Sequence, residues 1–382
     1  VDLTAWLLRR APIRPFVVAT PGGTTARLAV ERFVREHGWR SAISPAEANL
    51  LVITGPEAPL LAPFLDRVWD AMPAPRARTS VHHPLDAPST LDAVVAALRD
   101  PAVQRREASH AARVQPAAGP QHSPSTSSCG AGMPDEEHSA HEGHSEHHEH
   151  AHSDAQGDHD SHTSPEDPGG HAGHEGHHGH EVSGMEMPGG VPMADRGPDR
   201  DGLMLDQLHL PLGPALPDWP AGLIVHTVVQ GDVIQQAEVE LLGPGEPRND
   251  ITVHSALVNR LDSAACLLSV AGWPDMAARA RWLRDDALTD QPTAHLEPRL
   301  RRWATTVRRS RALRWSLSGV GATEGGDALS RLYGWVDGTE IGRPMPVDEL
   351  PSLLIGTELA SARLVVASLD LDLAADKVVA HG

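Results

Sequence analysis

A break in composition between about residues 106 and 200 limits this 382-residue chain more than any other feature. Over that stretch Ser, Gly, Pro, His and acidic residues replace nearly every large apolar side chain. A segment that can bury no apolar surface has nothing to offset the conformational entropy of ordering it, so this stretch is expected to be a disordered linker. The chain then divides into a domain at 1–105, a His/acid-rich linker at 106–200 and a domain at 201–382. An apolar share of 40% leaves enough material for cores in both flanks.

The net charge of -19 is mostly local. Residues 114–195 contain no Lys or Arg and fifteen Asp or Glu, so the rest of the chain balances 32 basic against 36 acidic groups. Flanks so close to neutral give no footprint for nucleic-acid binding. The two cysteines, Cys129 in the polar middle and Cys266 in an apolar run, do not make a disulfide framework and fit a reducing compartment. The opening VDLTAWLLRRAPIRPFVVAT has no basic start before a long apolar core, and no stretch approaches eighteen apolar residues. The expectation is a soluble, cytoplasmic chain without direct membrane insertion, peripheral at the inner face of a membrane only through partners.

Up to residue 105, short β-branched runs alternate with amphipathic ones: PFVVAT (15–20), TTARLAVERFVREHG, NLLVITG (49–55), PLLAPFLDRVWDAM, RARTSV and LDAVVAALRD. Strands alternating with helices of this length predict a small parallel sheet with helices on both faces. From 201 the pattern begins with strands, DQLHLPL, GLIVHTVVQ and DVIQQAEVELL, with QGD as a hairpin turn. Helical periodicity follows over about 252–271, 275–288, 296–317, 325–336 and 349–368.

SPAEANLLVITGPEAPLLAPFLDRVWDAMPAPR at 44–76 resembles the central strand, helix and turn of the small, cluster-carrying subunit of respiratory NADH:quinone oxidoreductase (complex I) and its NiFe-hydrogenase relatives. The third part of the chain, from 201, resembles the large, quinone-site partner of that subunit. GPALPDWPAGLIVHTVVQGDVIQQAEVELL is similar to its N-terminal β-hairpin, WPDMAARARWLRDDAL to a core helix, SGVGATEGGDAL to a glycine turn and LASARLVVASLDLDLAAD to its C-terminal segment. The resemblance spans about two thirds of the chain and implies a fusion of the two subunits. The implied fold is an α/β N-terminal domain (small parallel sheet, flavodoxin-like) plus an α+β C-terminal domain, β-hairpins followed by a helical bundle. The implied partners are the protein subunits of a complex I-like or hydrogenase-like assembly.

Departures from the family govern the functional reading. Where the resemblance places cluster-ligating cysteines, this chain has TPGGTT (20–25) and SVHHPLD (80–86). A cubane cluster needs four soft anionic ligands, and the chain owns two cysteines 137 residues apart, so no iron-sulfur cluster is expected. His82 and His83 read as solvated residues of a surface loop. The family's quinone-facing hairpin carries two histidines in a G-P-x-H-P-x-x-H-G pattern; here GPALPDWPAGL puts Leu216 and Pro220 at or beside those positions, with one residue inserted. The cysteine pairs that would hold nickel and iron in a hydrogenase large subunit are missing too. No residue is assigned a catalytic or cofactor-binding role.

Other chemistry finds little purchase. There is no G-x-G-x-x-G after a strand, no Walker lysine and no G-x-S-x-G. ATPGGTTARLAV reads as a capped turn, or as helix amides that could receive an anion. Trp273, Trp282, Trp303, Trp315 and Trp335 read as core or interface anchors, and RRWATTVRRSRALR (301–314) as a solvated or partner-facing surface.

The linker holds the candidate metal ligands: His138, His141, His144, His147, His148, His150 and His152, then His171, His174, His177, His178 and His180. Imidazole suits nickel, zinc and copper, and repeated H-x-x-H spacing lets a flexible chain wrap several nitrogens around one divalent ion. The resemblance makes nickel the natural ion, and the same tract can also bind zinc. The other reading is a drifting, low-complexity linker whose histidines bind metal only in a test tube. Together these features predict a redox-silent accessory or assembly subunit with a metal-buffering linker. Two alternatives stand beside it: a catalytic oxidoreductase subunit that uses a partner's cluster, and a nickel or zinc carrier.

Overall fold

The structure, a computed structural model, describes residues 3–114, 195–198, 202–243, 256–289, 295–339 and 344–373. A strand buried on both faces reads as a continuous apolar run. Only LLVIT among the first three strands has that character, and all five of its residues are buried. It forms β2 (Leu50–Thr54) and takes the middle of a parallel sheet between β1 (Pro15–Ala19) and β3 (Ala77–Val81), in the order β1-β2-β3. In a flavodoxin-like sheet the first strand lies between the second and third. These strands are sequential instead, because β3, ARTSV, is too polar for the centre and β1 alternates.

Helix α1 (Leu3–Arg10) precedes the sheet, α2 (Thr24–Glu36) and α3 (Ala62–Asp70) link its strands, and α4 (Ala87–Leu98) and α5 (Pro101–Val114) follow it. One face of the sheet packs Leu50 and Val52 against Val30 and Phe33 of α2 and Leu91 and Val95 of α4. The other packs Phe16, Val18, Leu51 and Ile53 against Leu65 and Val68 of α3.

Ordered elements reach into both ends of the stretch expected to be a linker. Residues 106–114 continue α5, where QRREASHAARV is rich in good helix formers. At the other end, residues 195–198 form β4 (Asp195–Pro198), which pairs antiparallel with β5 (Met204–Leu212). Gly197 makes this possible, because a Cβ there would sit 2.1 Å from the Gln207 side chain. The rest of the expected linker lies outside the described residues.

Strands β6 (Leu223–Gln230) and β7 (Val233–Leu241) complete a four-stranded antiparallel sheet, with Gly231 at positive φ in the predicted turn. Helices α6 (Ala256–Val270), α7 (Pro274–Ala287), α8 (Leu296–Arg309), α9 (Arg311–Leu317) and α10 (Ala328–Asp337) follow. The single helix expected over 296–317 is broken at Ser310, whose extended backbone and side chain cap α9 by accepting from the Leu313 amide. A short strand β8 (Met345–Pro346), helices α11 (Leu350–Leu354) and α12 (Leu359–Ser368) and strand β9 (Leu371–Asp372) close the described chain. Gly356, at φ +81°, splits the helix expected over 349–368. Trp303 and Trp335 are buried in the α6–α10 core, whereas Trp315 is 88% exposed.

The described parts of 1–115 and 193–382 pack as one compact unit. Ile224 of β6 joins the α3-side core of the parallel sheet, so the two flanks share apolar as well as polar contacts. Among the described residues no helix is long and apolar enough to cross a membrane.

Candidate functional site

The TPGGTT turn leaves β1 beside the end of β2, and two glycines set how near the backbones come. A Cβ on Gly23 would lie 2.2 Å from the Thr54 carbonyl, and one on Gly55, at φ +112°, 2.4 Å from the Gly23 Cα. Thr20 Oγ1 sits over the same turn, within donor reach of the Thr54 and Pro56 carbonyls at 3.1 and 2.8 Å. Across from this turn, the β5–β6 loop is shaped by Gly213, at φ +90°, and by Trp219, whose indole donates to the Leu223 carbonyl at 2.8 Å. Gly222 touches the turn itself, since a Cβ there would meet Pro21 Cγ at 2.7 Å.

These two segments, 190 residues apart in the chain, enclose a cavity of about 110 Å³. Gly22, Thr24, Arg27 and Glu31 line one side, and Leu216, Asp218, Pro220, Asp262 and Cys266 the other. TPGGTT and GPALPDWPAGL, where the resemblance would place cluster and quinone ligands, therefore meet at one seam. The donor set does not fit a four-iron cluster: the turn offers hydroxyls and backbone, and Cys266 is the one thiol among the described residues. His82 and His83 stand apart from the cavity at the end of β3, both exposed, with His82 Nδ1 2.9 Å from the Gly55 carbonyl oxygen.

A buried ionic network continues the seam beyond the cavity. Arg27, Glu31 and Arg35 recur every four residues and so lie on one face of α2. Arg27 Nη2 donates to Asp262 on α6 at 2.6 Å, and Arg35 Nη2 donates to Asp285 on α7 at 2.5 Å. Arg284, fully buried, reaches Asp262 at 2.5 Å, Glu31 at 3.0 Å and Asp285 at 3.1 Å. Arg281 joins Asp218 of the β5–β6 loop at 2.5 Å. Four arginines thus face four carboxylates, and the assembled network is neutral.

Ionisation of this network is held by its own members. Burial opposes the charge on Glu31, but Arg27, Arg284, Arg281 and Arg35 outweigh it and hold the carboxyl well below the usual carboxylate range. Burial likewise opposes the charge on Arg284, yet Glu31, Asp262 and Asp285 raise its pKa above that of a free guanidinium. Glu31 Oε2 is buried and makes its contact to Arg284 as an ion pair without an aligned hydrogen bond. Such a network has little to offer a proton-transfer reaction. Its geometry suits it to hold two surfaces in one register.

Sequence reasoning missed these charges. An alternating i, i+4 pattern of Arg and Glu on an amphipathic helix reads as a solvated face. The available signal was the second such pattern in RARWLRDD, whose charges complement it. The twelve candidate histidines from His138 to His180 lie outside the described residues, as does Cys129. Among the described residues no group of three or more His, Cys, Asp or Glu is arranged to hold a metal ion. No family model matches the chain, and neither a curated protein nor a solved structure does.

Proposed function

We propose that the chain is a redox-silent accessory or assembly subunit, related to the quinone module of NADH:quinone oxidoreductase or a membrane-bound hydrogenase, with a metal-buffering His-rich linker. What supports this reading most is the cavity at the seam. The two segments read as counterparts of the small and large subunits' ligand-bearing loops face each other there, as fused partners would require. Their side chains, Thr20, Leu216 and Pro220 among them, are those of a retained contact without retained ligands. At about 110 Å³ the space is also smaller than the roughly 300–1,000 Å³ of pockets that enclose an organic ligand, which favours the accessory role over the catalytic one. On this reading the protein is cytoplasmic, and its partners are protein subunits of such an assembly at the inner face of the membrane. The linker histidines 138–152 and 171–180 bind nickel or zinc.

Reconstitution of the full chain with iron and sulfide tests the redox-silent part. The expected outcome is no broad visible absorbance, and stoichiometric cluster incorporation overturns it. Purification from the native source tests the assembly part, with quinone-module subunits expected to co-elute in fixed proportion; their absence from the eluate defeats it. Titration with nickel or zinc tests the linker: binding at about pH 7.5 should weaken at about pH 5.5, below the reference histidine pKa of roughly 6.5. Equal affinity at both values removes the metal-buffering claim.

A further inference from the structure

At the opposite end of β1 from the seam cavity, the charge balance is different. Arg9 and Arg10 end α1, Arg14 precedes β1, Trp39 and Arg40 follow α2, and Arg99 follows α4. All six line one pocket of about 340 Å³, and no carboxylate lines it. We infer that this pocket is a binding site for a small anion carrying two or more phosphates.

The plainest rival explanation is that arginines collect there to offset helix dipoles, since three helix C-termini point to the same place. Each helix end brings roughly -0.5 of a charge. Glu47 adds one carboxylate, 3.7 Å from Arg14. Against five guanidinium groups these contributions sum to about -2.5, so about half of the positive charge stays uncompensated. The nearest acid in sequence, Asp100, has its carboxylate on the Ala102 amide at the start of α5.

Arginine's planar fork matches phosphate oxygens two at a time, and several forks around one pocket favour a multiply charged anion over a single carboxylate. The volume lies within the usual range for small-ligand sites. Trp39 supplies one fixed wall: its ring meets Phe33 edge-on at 5.5 Å and its amide donates to the Val34 carbonyl at 3.0 Å. Arg9, Arg10, Arg40 and Arg99 are exposed and can close on a ligand without refolding.

Calorimetric titration of the full chain with pyrophosphate, at near-physiological ionic strength, tests the site. Saturable one-to-one binding is expected. Affinity should fall about tenfold or more in Arg40→Gln/Arg99→Gln, and again in Arg9→Gln/Arg10→Gln, with thermal unfolding unchanged in both. A second arm measures sedimentation with vesicles of phosphatidylcholine containing a phosphatidylinositol bisphosphate against vesicles of phosphatidylcholine alone. Arginine-dependent binding of pyrophosphate supports the site with a soluble source of the phosphates, and arginine-dependent binding of the bisphosphate vesicles alone supports it with a lipid source. No binding in either arm, or binding that both double variants leave intact, overturns the proposal.

Discussion

Helix α2 buries two faces of opposite chemistry. One presents Ala26, Val30, Phe33 and Val34 to the sheet and α4. The other presents Arg27, Glu31 and Arg35, at 19, 17 and 13% side-chain exposure, to α6 and α7. The apolar face is satisfied by any well-packed apolar surface, because burial energy scales with area and lacks direction. The ionic face accepts only a surface carrying Asp262, Arg284 and Asp285 at the right places, because an unmatched buried charge costs far more than an unmatched methyl group. Packing within the flank and the ionic part of the contact between flanks are thus carried by two faces of one helix.

Breaking the ionic face should cost most. Glu31→Ala leaves buried guanidinium groups without their shared carboxylate and is expected to lower stability by about 3–5 kcal/mol, read from urea denaturation. On the apolar side, Leu50→Ala opens a cavity in the middle strand at a cost of roughly 2–5 kcal/mol, seen in the same experiment. The two should differ in kind: the Glu31 effect should shrink when Arg284 is also replaced by Met, and the Leu50 effect should not. Equal responses to that second change would collapse the distinction.

Acid sharpens the contrast further. The folded-state pKa of Glu31 is depressed, so its stabilising contribution is complete above the unfolded glutamate value of roughly 4.3 and is lost as pH falls below it. The urea midpoint should therefore fall more steeply below about pH 4 in the parent chain than in Glu31→Gln, while Leu50→Ala should follow the parent's slope. Parallel curves for the parent and Glu31→Gln would contradict the network's role.

The smallest effect belongs to a pair with the same spacing on the same helix. Arg32 donates to Glu36 at 2.7 Å, four residues on, but both side chains are more than 40% exposed. Arg32→Ala should cost only about 0.3–0.5 kcal/mol. A loss comparable to that of Glu31→Ala would mean that burial is not what separates the two faces.

Much of the local structure was legible because it depends on period and composition. LLVIT announces a strand covered on both sides, and its uniform burial also explains why it sits centrally. The QGD turn between β6 and β7 follows from glycine's freedom at positive φ. Breaks at Ser310 and Gly356 were less legible, since helical periodicity runs through them and only the cap and the left-handed backbone reveal the stop. The candidate site was legible in pieces: TPGGTT and GPALPDWPAGL could each be singled out, but their distance apart in sequence hid that they share a cavity.

By itself, then, the chain's sequence determined most strands and helices, the composition break and the poverty of thiol ligands, all of which are sums over neighbouring residues. Tertiary structure alone decided which charges are buried. Arg27–Glu31 and Arg32–Glu36 are the same motif at the same spacing, and what separates them is the presence of Asp262 and Arg284 some 230–250 residues later. Desolvation and pairing depend on what lies across a few ångströms of space, and no local pattern records that.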